Sequence, residues 1–317
     1  MSVDATHQAA QQLQHAAGFY ESRTDLLAQV VPMVREALER GDGVVLAVQP
    51  STADALREMM GGAREVTLLD HPDEPLGGCG QSLAVHRAQV FDALTASGPI
   101  TAITEHDSRF DGPDGRFWTE LDTAAQAAMA HLPVRLTCFF PLLPLHQVVL
   151  DGARRSHPLI RENGLVRPNP DHLPPGDVLA QIPIPSPVLL GAPHHQIEFG
   201  TERLAEIRAL VERVLHDDRY TAEQVDDVVI AVNEVATNAV EHGRGPANLT
   251  LWVGPGYCVV EVHDRGVLAD PLPGLTAPPP DHDHGWGLWV ARRSCEYLRV
   301  WTDPAGTHVR IHITVQI

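Results

Sequence analysis

The stretch AVNEVATNAVEHG at 231–243 sets Glu234, Asn238 and Glu241 at i, i+4 and i+7, on one stripe of a helix. Beside it runs an apolar stripe of Val225, Val228, Val232, Val235, Ala236 and Ala239. Oxygen-bearing side chains in a row along the border of a buried face suit a hard cation such as Mg²⁺, which keeps waters and phosphates as its other ligands. An ordinary solvated helix edge has the same pattern. Further on, VVEVHDRG ends a strand with Asp264 and then Gly266. A carboxylate at a strand end can accept from an exocyclic amine such as that of adenine, and the glycine lets backbone approach a ligand. A plain Asp-Gly turn would read alike. HGWGLWVARR puts Gly285 and Gly287 just before a helix, whose free N–H groups make an anion site without lysine. AGTHVRIHI opens a strand with Gly306 and Thr307, where the hydroxyl could reach a base through water.

These motifs need elements to hold them. Helical spacing predicts helices over 201–217 and 221–243, after a strand at HQIEF. Strands NLTLWVG and YCVVEVHD follow, then a Pro/Gly-rich loop over 266–285 and a helix GLWVARRSCEYL. Strands RVWTD and THVRIHITVQI close the sequence with period-2 alternation, as in a sheet with one covered face. The expected second domain, 194–317, is an α+β two-layer sandwich.

The first half alternates differently. Apolar strands at 43–49, EVTLLD, PITAITE and VRLTCFF are separated by helical stretches at 24–43, TADALREMMG, SLAVHRAQVFDALTASG and RFWTELDTAAQAAMAH, with a last helix over 144–156. Strands alternating with helices of about 10–15 residues predict a parallel α/β sheet over 1–165. A proline-rich stretch at 166–193 reads as an extended linker.

The whole composition narrows the function classes. The chain has 317 residues and a net charge of −18, so it repels a phosphate backbone, and nucleic acid is not an expected partner. All 23 basic residues are arginine, which excludes a P-loop lysine and Schiff-base chemistry. The most apolar run, 132–150, is broken by Arg135, prolines and His146, so no membrane span is expected. The N-terminus shows no signal-peptide pattern, and the cytoplasm is the expected location. Cys79, Cys138, Cys258 and Cys295 lie far apart and form no CxxC, so they read as free thiols, neither zinc ligands nor disulfides.

In order and spacing the motifs of 194–317 resemble the GHKL ATPase superfamily of gyrase, MutL and histidine-kinase catalytic domains. NEVATNAVEHG is similar to its Asn box, DRG to its Asp-x-Gly box, GWGL to the glycines closing its ATP lid and GT to its last box. Within the superfamily the E-x-x-x-N-A-x-x-H pattern most resembles the anti-sigma factor kinases of bacteria. The resemblance implies ATP and Mg²⁺ as cofactors, with Asn238 as Mg²⁺ ligand and Glu234 as general base orienting a serine hydroxyl or a water. It implies Asp264 and Gly266 at the adenine, Gly285, Gly287 and Leu288 under the phosphates, and Thr307 near the base. Two features depart from the pattern: Val267 stands where a second glycine is usual, and the lid is rich in proline.

In the first half, HAAGFYESRTDLLAQVVPMVREALERGDGVVLAV and ARRSHPLIRENG resemble the MEDS sensory domain, a RecA-like unit without a working P-loop. This implies a sensor of a small-molecule signal. His15 and the polar loop 105–118 are the positions to watch there, against the plainer readings of a satisfied core histidine and a polar connection. His282 and His284 in DHDHG could both face a metal, although no third ligand is identifiable. Together the readings give a sensor-coupled, anti-sigma-type regulator. It would bind Mg²⁺-ATP, meet a sigma factor or an antagonist protein, phosphorylate serine or threonine on the antagonist, and leave room for a homodimer. The competing readings are a partner-binding module without phosphotransfer, nucleotide-gated or not, and a histidine-kinase-like transducer.

Overall fold

The computed structural model describes residues 12–60, 66–69, 79–111, 115–143, 145–182, 190–216, 220–279, 281–282 and 285–314. The chain divides into two compact units, one of residues 1–80 and 87–182, the other of 81–86 and 183–317. Each has its own mixed arrangement of sheet and helices.

The first unit is built on strands β1 (Gln14–Tyr20), β2 (Gly43–Ala47), β3 (Val66–Leu68), β4 (Ile100–Glu105), β5 (Val134–Pro141), β6 (Leu159–Glu162) and β7 (Leu165–Pro168). They lie in the order β3-β2-β4-β5-β1-β6-β7. All neighbours run parallel except the β6–β7 hairpin at the edge. Its helices are α1 (Arg23–Arg40), α2 (Pro50–Met59), α3 (Gly80–Thr95, of which 81–86 fall in the other unit), α4 (Phe117–Ala128), α5 (Gln147–Ser156) and the short α6 (Pro175–Leu179). Every residue of β4 is buried, so side chains on both faces of this strand are covered, as the apolar runs in the sequence imply.

In this unit three elements differ from the sequence expectation. β1 was not foreseen, since QHAAGFY has no β-branched residue, yet it pairs with both β5 and β6. The β6–β7 hairpin turns through Asn163 and Gly164, both at positive φ. The proline-rich segment is not uniformly extended: α6 forms within it and buries Val178 and Leu179, so the first unit continues to 182 rather than ending at 165.

The second unit carries β8 (His195–Phe199), α7 (Leu204–His216), α8 (Ala222–His242), β9 (Ala247–Gly254), β10 (Tyr257–Asp264), α9 (Trp286–Arg293), β11 (Tyr297–Asp303) and β12 (Gly306–Thr314). The five strands run antiparallel in the order β11-β12-β10-β9-β8. One sheet face presents Leu249, Leu251, Cys258, Val260, Val262, Val309, Ile311 and Ile313 to the helices. Ile207, Leu210, Val211 and Leu215 of α7 and Val225, Val228, Val232 and Val235 of α8 meet them in one core. Each such side chain contributes about 1.5–3 kcal/mol when fully buried.

α8 starts at a capping box. The Thr221 hydroxyl accepts from the Gln224 N–H at 3.2 Å, and the Gln224 side chain accepts from the Thr221 N–H at 3.0 Å. The helix expected over 287–298 is shorter. α9 stops at Arg293, because Leu298 is drawn into the core as part of β11. Among the described residues, no helix is long and apolar enough to cross a membrane.

Candidate functional site

α8, the end of β10, the loop after it and the start of α9 enclose a cavity of about 250 Å³. Its apolar walls come from Val235 and Ala239 of α8, Val262 of β10, Val309 of β12, Leu268 of the loop and Leu288 of α9. Asn238, His242, Asp264, Asp270 and Thr307 supply its polar groups. A slot with apolar sides and a carboxylate at the end of a strand suits a flat heterocycle bearing an amino group.

The register of the sheet sets the polar end. Asp264 is paired with Thr307 across β10 and β12. The Asp264 Oδ1 accepts from the Gly266 N–H at 2.5 Å, and among the described residues no group donates to its Oδ2. That second oxygen is the one left to accept from a ligand. Thr307 is 7% exposed and works on the protein itself: its hydroxyl donates to the Gly266 carbonyl at 3.1 Å and accepts from the Leu268 N–H at 3.1 Å. It therefore clamps the loop that follows Asp264. Gly306 must be glycine here, since its φ is +142° and a Cβ would collide with the Asp264 carbonyl oxygen.

The other end of the site is made by α8 and α9. Glu234 and Asn238 are half-buried, one turn apart. Gly285 caps α9 in a left-handed conformation, φ 93°, so that Trp286, Gly287 and Leu288 open the helix, where N–H groups have no partner within the helix itself. Gly287 faces α8: a Cβ there would lie 2.8 Å from Asn238 Nδ2 and 3.1 Å from Glu234 Oε2. Only glycine lets the start of α9 come this close to the two side chains. The amide, the carboxylate and the positive end of a helix therefore share one small volume, suited to a polyanion with a hard cation.

The lid between 266 and 285 is attached to α9. The buried Arg292 donates to the Pro273 carbonyl through Nε at 2.6 Å and to the Leu298 carbonyl through Nη1 at 3.1 Å. Gly274 rests against the backbone of Leu288 and Trp289, and Leu275 is buried. Nearer the tip, the Trp286 indole donates to the His282 carbonyl at 2.8 Å.

The structure brings Asn238, Asp264, Gly266, Gly285, Gly287, Leu288 and Thr307 together around the cavity, with Glu234 at its α8–α9 corner. Glu241 is exposed and does not line it, although it shares the helical stripe. His242, Gly243, Leu268, Asp270, Pro273 and Gly274 line it and were missed by sequence reasoning, while Val267, which also lines it, was noted only as a departure from the resembled pattern. Gly243 carried a signal, as a glycine ending a helix two residues after Glu241; the lid residues carried none. His284 and its neighbour Asp283 lie outside the described residues, so the suggested His282–His284 pair is not described. In the loop 105–118, His106 meets Asp111 at 2.6 Å, and Asp107 holds Arg109 at 2.6 Å and takes its N–H at 3.0 Å. These polar groups are occupied within the loop itself.

Residues 197–313 match the family described as the histidine kinase-like ATPase domain. No curated protein matches the chain. Among solved structures, the RsbU and RsbW domains of Rv1364c from Mycobacterium tuberculosis are similar at 20% identity with a TM-score of 0.29, over 39% of this chain and 33% of that one. The chain thus spans about a third of the length of that structure.

Proposed function

We propose that the domain at 197–313 binds adenine nucleotide with Mg²⁺ and transfers its γ-phosphoryl group to a serine or threonine hydroxyl of an antagonist protein, in the manner of an anti-sigma factor kinase. The observation that carries this reading is the meeting of Glu234 and Asn238 with Gly287 at the start of α9. It supports a phosphate subsite, while Asp264 at the far end of the cavity supports recognition of an amino-bearing base.

The residues fit a Mg²⁺ ion. The Asn238 carbonyl oxygen would hold it, with the Glu234 carboxylate one turn away on α8 and also beside Gly287, and this cation commonly takes few protein ligands. When bound, Mg²⁺ supplies charge neutralisation of the phosphate oxygens. The N–H groups of Gly287 and Leu288 donate to phosphate oxygens, a role open to backbone in a chain without lysine. Glu234 accepts the proton of the acceptor hydroxyl as its oxygen bonds to the γ-phosphorus, the bond to the β-phosphate bridging oxygen breaks, and ADP leaves. Asp264 takes the exocyclic amino group of adenine on Oδ2. The first unit supplies the input, a small-molecule signal that biases whether a sigma factor or the antagonist is engaged, in a cytoplasmic regulator that could act as a homodimer.

Calorimetric titration of ATP and ADP, with and without Mg²⁺, into wild type and Asn238→Ala tests the site. Mg²⁺-dependent binding lost in the variant supports it; wild type that binds neither nucleotide sinks it. A second reading, a nucleotide-gated partner switch without phosphotransfer, is favoured by Val267, which stands 73% exposed where the resembled pattern has glycine. Transfer of label to a candidate antagonist, abolished in Glu234→Ala with nucleotide still bound, would exclude that switch. Acid-labile phosphate on the chain itself would instead favour a histidine-kinase-like transducer.

A further inference from the structure

Four side chains unrelated to the nucleotide site converge in the core of the first unit. His15 lies on β1, Asp122 on α4, Cys138 on β5, and His157 directly follows α5. None is more than 4% exposed. Their potential ligand atoms all fall within 4.8 Å of one another. Cys138 Sγ is 3.4 Å from His15 Nε2, and His157 Nε2 is 3.9 Å from Asp122 Oδ2. The two imidazole centroids are 4.1 Å apart.

Both rings are oriented from behind. His157 Nδ1 lies 2.7 Å from the Ala153 carbonyl oxygen, which can only accept, so Nδ1 carries the proton. His15 Nδ1 lies 3.2 Å from Gln126 Oε1, which accepts in the same way. Each ring therefore turns the lone pair of Nε2 into the cluster, the arrangement that outer partners impose on metal-binding histidines. Two of the facing atoms are not satisfied by the protein: among the described residues, neither His157 Nε2 nor Asp122 Oδ2 has a hydrogen-bond partner, although both are buried. Two buried acceptors pointing at each other are costly, and a cation between them removes the cost.

We propose that His15, Asp122, Cys138 and His157 form a divalent transition-metal site, with Zn²⁺ the ion that fits best. One thiolate, one carboxylate and two neutral imidazoles balance the charge of a dication, as a desolvated core requires. Burial pushes the Cys138 thiol and the Asp122 carboxyl up, with the buried Arg87 only partly opposing this, so metal binding must displace their protons. Tetrahedral zinc with bonds of about 2.0–2.3 Å places its ligand atoms roughly 3.3–3.8 Å apart. The two measured spacings of 3.4 and 3.9 Å are close to that, and the widest, 4.8 Å, closes by small side-chain rotations. The protein fills all four positions, so the site takes no substrate. It ties β1, α4, β5 and the end of α5 into one unit whose stability follows metal supply.

The test is a Co²⁺ titration of the full chain after chelator treatment and removal of the chelator. The expected result is about one equivalent bound, with the intense visible bands of a tetrahedral centre and a near-ultraviolet sulfur-to-cobalt band, both displaced by Zn²⁺. Cys138→Ser should lose the sulfur band and Cys258→Ser should keep it. Folded wild type, checked by circular dichroism, that develops no such bands overturns the proposal without recourse to any variant. Bands unchanged in both Cys138→Ser and His157→Gln overturn it too, since the metal would then sit elsewhere among the 18 histidines.

Discussion

Asp264→Asn separates recognition of the base from integrity of the fold. Asp264 Oδ1 is held by the Gly266 N–H at 2.5 Å. An asparagine must keep its oxygen on that N–H, because its nitrogen cannot accept. The NH₂ group then points to where the base would present its own amino group, donor against donor. The lost interaction is a hydrogen bond to a charged acceptor, worth about 1.5–3 kcal/mol. At about 1.4 kcal/mol per decade, ATP affinity should fall roughly 10- to 150-fold. A base with a carbonyl in place of the amino group should behave oppositely, since the new NH₂ can donate to it. Calorimetry with ATP and ITP, in wild type and variant, reads both changes. Thermal unfolding should show little change, because the contact to Gly266 survives. Equal weakening of ATP and ITP, or ATP binding unaltered, would refute the assignment of Asp264 to the amino group.

Other perturbations follow from the same geometry. Gly287→Ala pushes a methyl group to 2.8 Å from Asn238 Nδ2 and 3.1 Å from Glu234 Oε2; a displacement costing about 1–3 kcal/mol should lower Mg²⁺-ATP affinity roughly 5- to 150-fold in calorimetry. Thr307→Val leaves the Gly266 carbonyl and the Leu268 N–H unpaired, and urea unfolding should show a loss of about 1–3 kcal/mol. Burial works against charge on both Glu261 and His308, but their mutual hydrogen bond, with Arg310 on Glu261 and Asp303 near His308, lowers the Glu261 pKa and raises that of His308. The stabilisation from Glu261 is lost as pH falls through its depressed value, and that from His308 as pH rises through its raised value. The pair is therefore at full strength between 4.5 and 6.5, the ordinary values of the two groups. Glu261→Gln should remove this dependence from urea midpoints and bring the NMR-measured pKa of His308 down.

The site was readable in the sequence to the extent that its residues are carried by regular elements. Glu234, Asn238, Asp264 and Thr307 sit at fixed places on helix or strand, where spacing dictates facing. Glu241 shows the limit of that logic. Val235, Asn238, Ala239 and His242 line the cavity from one side of α8, and Glu241 falls beyond the edge of that arc and faces solvent. The lid residues Leu268, Asp270 and Pro273 follow no period, so only tertiary contacts such as Arg292 with the Pro273 carbonyl bring them to the site. In the first unit, helix and strand alternation was plain, whereas β1 was hidden. QHAAGFY is small and aromatic, with Gly18 pressed on the Phe139 ring, and its partners decide its state rather than its own propensity. Cysteine spacing pointed to free thiols. The placement of Cys138 beside His15, 123 residues away in the chain, depends on pairing that spacing cannot reveal.

The position of β1 also governs how the first unit is made. Its neighbours in the sheet are β5 and β6, which begin at Val134 and Leu159. On the ribosome, β1 emerges more than a hundred residues before either partner, at about 5–20 residues per second. For those seconds the half-made chain holds β2, β3 and β4 while the strand that joins them to β6 and β7 has no seat. Closure of the sheet must await the long-range pairing of the earliest strand with the late ones, the kind of contact that slows folding. A chain arrested between β4 and β5 would therefore present an unpaired β1 and an open β4 edge, the form of this protein most exposed to chaperones and to aggregation.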